Sequence, residues 1–155
     1  MSTGQRQTSW EQAPSGRPVA TTQSGPRAGF WRRFAAAFLD GILLGIVGVI
    51  LIAVARGVGL SLDLFIGIAY FTYFEGGPRG QTPGKSAMGI RVISFADGGP
   101  IGYGRAFIRY VGRIVASIPF FLGYLWMLWD RESQTWQDKF AGSVVVPVSD
   151  YPLPN

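Results

Sequence analysis

The chain has 155 residues, a length suited to one domain. It is 48% hydrophobic and only 15% charged, against about 25% charged in an average soluble domain, which places it in the membrane class. It has no Cys and no His, which excludes thiol nucleophiles, disulfides, His-based acid–base pairs and the usual zinc and haem ligand sets.

The net charge of +5 fits loops that face the cytoplasm and anionic lipid, and it is not a nucleic-acid footprint. The 22 glycines and 14% aromatic content suit membrane helices and their interfaces. Residues 1–26 are rich in Gln, Ser, Thr, Pro and Gly without apolar periodicity, and read as a disordered tail. No apolar core follows a basic start there, so no secretory signal is expected.

Phe34 to Ala55 is apolar apart from Asp40. As a helix it reaches roughly 33 Å, enough to cross a bilayer. Arg27, Arg32 and Arg33 precede it and Arg56 follows alone, which puts the N-terminus in the cytoplasm; Phe30 and Trp31 stand at the interfacial belt. Leu60 to Phe74 is a second apolar stretch interrupted by Asp63, with Ser61 as N-cap, and from Val58 it reaches about 25 Å, a marginal span. A hairpin with a short turn near Arg56-Gly57 would join the two. The breaker-rich segment Glu75 to Lys85 follows, a loop no membrane helix would contain.

Gly89 to Ala96 alternates, is β-branched and ends at an Asp97-Gly98-Gly99 turn, which predicts a short strand. Ala141 to Val148 is the other strand-like run, and pairing of the two in a small cytoplasmic sheet is expected. Between them, Gly102 to Ala116 predicts an amphipathic helix. Arg105, Arg109 and Arg113 form one basic stripe, and Phe107, Tyr110, Val111 and Ile114 the apolar side. Such a stripe suits anionic headgroups, or else a solvated face. Ile114 to Trp129 is a third apolar stretch, about 24 Å if continuous and broken by Pro119 and Gly123. It either spans or re-enters.

Asp40 is the outstanding polar residue. An ionised carboxylate at bilayer depth costs about 2.5–3.5 kcal/mol, so it must face protein or water. Arg33 lies two helical turns away on the same stripe, about 10 Å along the axis. Two readings follow: an ion- or proton-binding carboxylate, or a polar anchor for helix packing. Ala37, Gly41, Gly45 and Gly48 line an adjacent small-residue stripe that allows close helix approach. Thr82-Pro83-Gly84-Lys85 lacks the frame of a phosphate loop and joins no strand to a helix start. Asp130, Glu132 and Asp138 read as a solvated charged turn. Without His there is no Ser/His/Asp set, and an enzyme is the least expected class.

Taken together, Gly29 to Asp40, Gly80 to Lys85 with Gly89 to Val92, Asp97-Gly98, Arg109 and Gln134 to Val146 resemble the motifs of the RDD family of bacterial membrane proteins. The family is named for one Arg and two Asp. The resemblance places these on Arg33 (with Arg32 as the fallback), Asp40 and Asp138, and makes Thr82, Pro83, Gly84 and Lys85 a family motif. Gln137 stands where relatives often carry His. The resemblance implies transport, in the form of cation/proton exchange at Asp40 with Arg33 as partner and Asp138 as relay. A chain this short would need to oligomerise for that. An accessory or assembly subunit of a larger complex, and an anionic-lipid-interacting protein, are the alternatives.

The expected architecture is therefore an α-helical integral membrane protein. It has two full spans, a third short Pro-broken spanning or re-entrant element, a basic interfacial helix and a two-stranded sheet. The membrane domain covers 27–148, followed by a tail at 149–155. The expected setting is the bacterial cytoplasmic membrane, multi-pass, with no cofactor or metal.

Overall fold

The computed structural model describes residues 25–54, 59–117 and 122–152, without the side chains of 59–61. The expectations for the N-terminal tail up to residue 24, the Arg56-Gly57 turn, the Ser61 cap, the Pro119 break and the last three residues fall outside these.

The chain order is α1 (Phe30–Val54), α2 (Gly59–Gly76), α3 (Pro83–Ala87), β1 (Ile90–Ser94), α4 (Gly102–Ser117), α5 (Leu122–Leu125), a 3-10 turn (Trp126–Leu128), α6 (Trp136–Phe140) and β2 (Ser143–Pro147). The two strands pair antiparallel as expected, with Val92 opposite Val145. Both are buried along their whole length, which explains their run of β-branched residues. On one side Ile90, Val92 and Val145 pack with Ala28, Ala36, Ile101 and Ala106. On the other, Ile93, Val144 and Val146 pack with Tyr151. Ala28 N donates to the Val145 carbonyl at 2.9 Å, so the residue leading into α1 is fastened to the last strand.

Among the described residues, α1 alone is long and apolar enough to cross a membrane. Only 11% of its apolar window is buried, whereas a soluble core helix would be mostly covered. Its partners are α2 and α3. The helices α4 and Leu122–Leu128 are together long and apolar enough as well, but they meet at 113°. The described parts of the third apolar stretch are therefore steeply angled to each other rather than in line.

Two local expectations are corrected. The segment after α2 is not all loop, because Thr82 caps α3: its Oγ1 accepts from Lys85 N at 3.3 Å, and Pro83 stands in the first turn where its missing N–H costs nothing. Thr82-Pro83-Gly84-Lys85 thus does begin a helix. The second correction is α4, whose orientation is reversed. Arg109 is 1% exposed, while Phe107, Ile108, Val111, Ile114 and Val115 are exposed. Arg109 and Arg113 of its basic side face buried carboxylates, Arg105 stays exposed, and its apolar side faces outward.

Candidate functional site

The elements converge on a buried charge cluster. Glu75, at the end of α2, is fully buried and takes three cations. Arg109 Nε donates to its Oε2 at 2.8 Å, Arg113 Nη2 to its Oε1 at 2.8 Å, and Lys85 Nζ also donates to Oε1. Arg109 Nη1 reaches on to Asp138 Oδ1 and Ser143 Oγ. Arg33 Nη1 donates to Asp138 Oδ2 at 2.7 Å, and Thr135 N caps the same oxygen at 3.0 Å. One network therefore ties α1, α2, α3, α4, α6 and β2 together.

Asp40 is 2% exposed and its bonding is separate. Tyr70 Oη donates to Oδ1 at 2.7 Å, Thr82 Oγ1 to Oδ2 at 2.5 Å and Gly84 N to Oδ1 at 2.8 Å. Its donors are neutral and include a backbone amide of α3, so the carboxylate anchors α3 on α1. A Cβ on Gly84 would lie 2.3 Å from the Ala36 carbonyl oxygen, so the approach of α3 to α1 requires glycine.

Burial pushes the Asp138 carboxyl up, but the guanidiniums of Arg33 and Arg109 outweigh it and hold it well below the usual carboxylate range. Burial pushes the Lys85 amine down to about 8, with Glu75 opposing the shift.

The sequence-derived residues are thus redistributed. Arg33 bonds Asp138 and not Asp40, because a partner arriving from α6 lies closer than one two turns along its own helix. Asp138 is fully buried rather than part of a solvated turn, whereas Glu132 pairs with Arg27 at 2.5 Å and Asp130 with Lys139. The Arg105, Arg109 and Arg113 stripe does not form one lipid-facing surface. Arg105 Nη1 donates to Ser94 Oγ at 3.1 Å, Arg109 is buried, and the Arg113 guanidinium lies 3.9 Å over the Phe71 ring. Glu75 and Ser143 were missed, and Lys85 was marked only as part of a family motif, without a partner. Glu75 had one signal: a carboxylate at the C-terminal end of an apolar helix, where the helix dipole disfavours it unless cations are supplied. Among the described residues, no cluster of three or more acidic side chains arranged to hold a metal ion is present.

A cavity of about 470 Å³ lies beside the cluster. Arg33, Lys85, Arg109, Arg113 and Asp40 line it, with apolar walls that include Phe34, Leu44 and Phe71.

The site sits in a mostly helical protein with one largely uncovered apolar helix, a second helix with its apolar face outward, and charges gathered in an internal ion-pair hub. Residues 27–142 match the RDD family, and the chain belongs to that membrane-associated family. It is 36% identical over 85 residues to a proline-rich antigen homolog of Mycobacterium tuberculosis, covering 53% of this chain and 35% of that protein. It is 34% identical over 98 residues to the proline-rich antigen of Mycobacterium leprae, covering 59% of this chain and 39% of that protein. The match therefore spans well under half the length of these mycobacterial relatives. An uncharacterized protein of Bacillus subtilis, YxaI, is 22% identical, with 63% of this chain and 83% of that protein covered. No solved structure matches.

Proposed function

We propose that this RDD-family protein is a multi-pass protein of the bacterial cytoplasmic membrane, with its N-terminus in the cytoplasm, that serves as an accessory or assembly subunit of a larger membrane complex. In this reading α1 spans the bilayer, the shorter α2 crosses beside it as a marginal span covered by α1 and α4, and α4 with α5 forms a bent, re-entrant element. The reading is carried by one observation: Asp40, Glu75 and Asp138 are each bonded by several fixed protein donors. Such carboxylates hold helices together and present the uncovered face of α1 to neighbours. Extraction in a mild detergent should yield a stoichiometric heteromeric complex. A purified homo-oligomer that exchanges cations for protons in vesicles would contradict it.

Cation/proton exchange is the second reading, supported by the position of Asp40 on the cavity wall. Its difficulty is electrostatic, since a cation entering there meets Arg33, Lys85, Arg109 and Arg113. Asp40→Asn vesicles that exchange at the wild-type rate would remove this second reading.

A further inference from the structure

The cavity beside the hub has chemistry the assembly reading does not use. Its walls are mostly apolar, including Phe34, Ala37, Leu44, Phe71 and Met127, and it opens along α1, the helix with the uncovered apolar surface. Its size and its few convergent polar groups are those of a small-molecule site. The polar end is cationic. Taking the cavity wall and the hub behind it together, Arg33, Lys85, Arg109 and Arg113 stand against Asp40 on the wall and Glu75 and Asp138 in the hub, which leaves an excess of one positive charge. Arg33 is the under-used cation: its Nη1 is on Asp138, while its buried Nε and Nη2 have no hydrogen-bond partner. Unpaired buried N–H groups on a guanidinium are costly, and they are satisfied by an anionic oxygen acceptor. Arg113 borders the same space, one-fifth exposed.

We propose that this cavity binds one anionic phospholipid, with its headgroup phosphate on Arg33 and Arg113 and an acyl chain along Ala37, Gly41 and Leu44 of α1. A phosphodiester carries the single negative charge that the wall and hub together lack and the oxygens that Arg33 needs. A zwitterionic headgroup brings a compensating cation into a cationic site, so it is disfavoured. The inference stands independently of the assembly reading, because a bound lipid is compatible with any partner.

The test uses the full chain, delipidated in mild detergent and then exposed to mixed micelles of phosphatidylglycerol or phosphatidylcholine, with retained lipid counted by native mass spectrometry. Two variants frame it. Gly41 lines the cavity and Gly45 does not, and an added Cβ at either meets nothing within 4 Å, so neither backbone position itself is crowded. One phosphatidylglycerol per chain is expected, retained at least about tenfold better than phosphatidylcholine, the discrimination of one charge-assisted contact. Gly41→Leu should lose it and Gly45→Leu should keep it, both with wild-type helicity by circular dichroism. Equal retention of the two lipids would overturn the proposal, as would unchanged retention in Gly41→Leu or equal loss in Gly45→Leu. Complete displacement by millimolar inorganic phosphate would assign the guanidiniums to free phosphate instead. A lipid-free dimer broken by Gly41→Leu would assign the cavity to a second copy.

Discussion

Replacing Gly84 with alanine places a Cβ 2.3 Å from the Ala36 carbonyl oxygen and 2.7 Å from Asp40 Oδ1. Both neighbours are fixed, one by the backbone of α1 and the other by its bonds to Tyr70 and Thr82. The helices must therefore separate, and the bond from Gly84 N to Asp40 lengthens or breaks. Overpacking costs about 1–3 kcal/mol and a lost hydrogen bond to a buried charge about 1.5–3 kcal/mol, while alanine returns about 1 kcal/mol of helix propensity. The net loss is about 1.5–5 kcal/mol, or on the order of 10 °C in Tm for a domain of this size. Thermal unfolding in detergent, followed by far-UV circular dichroism, measures it. Gly45→Ala is the control, because its Cβ meets nothing, and its Tm should be unchanged or slightly higher. A Gly84→Ala protein as stable as the Gly45→Ala control would refute the argument that Asp40 anchors α3 on α1.

Three further outcomes are expected. Arg109→Met leaves Asp138 and Glu75 each short of a buried cation and should destabilise by about 3–5 kcal/mol, the largest single effect in the hub, measured by the same melts. The Asp138 carboxyl is held below its unfolded value, so its contribution is fully present above about pH 4 and is lost as pH falls through the folded value. Melting temperatures should accordingly show no loss from this group between pH 7 and pH 5, with the decline confined to more acid solution. Thr82→Val removes one donor to Asp40 and the cap of α3 together, and should cost about 2–4 kcal/mol, whereas Thr82→Ser should remain near wild type in the same melts.

The parts of this fold set by local pattern were legible in the sequence. The strands around Val92 and Val145, their pairing, the helix from Gly102 and the burial of Asp40 follow from periodicity, β-branching and the cost of a charge at depth. Long-range side-chain partners were not legible. Helical spacing placed Arg33 with Asp40, yet the residue that meets Arg33 comes from 105 positions away. The Arg105, Arg109 and Arg113 stripe was visible, but its orientation depended on Glu75 and Asp138, whose arrival beside α4 no local pattern encodes. The family motif marked Asp138 and Lys85 without revealing that both serve one ion-pair network. The short helix α3 was hidden in a stretch rich in Gly and Pro, although its Thr-Pro start was a capping signal.

The central claim is that the hub locks the first helix to the C-terminal segment. A double-mutant cycle on Arg33→Gln and Asp138→Asn tests it most directly, read as unfolding free energy in detergent. A direct charge-assisted pair predicts a coupling of at least about 1.5 kcal/mol, with the double variant less destabilised than the two single effects combined. Strict additivity of the two substitutions would contradict it.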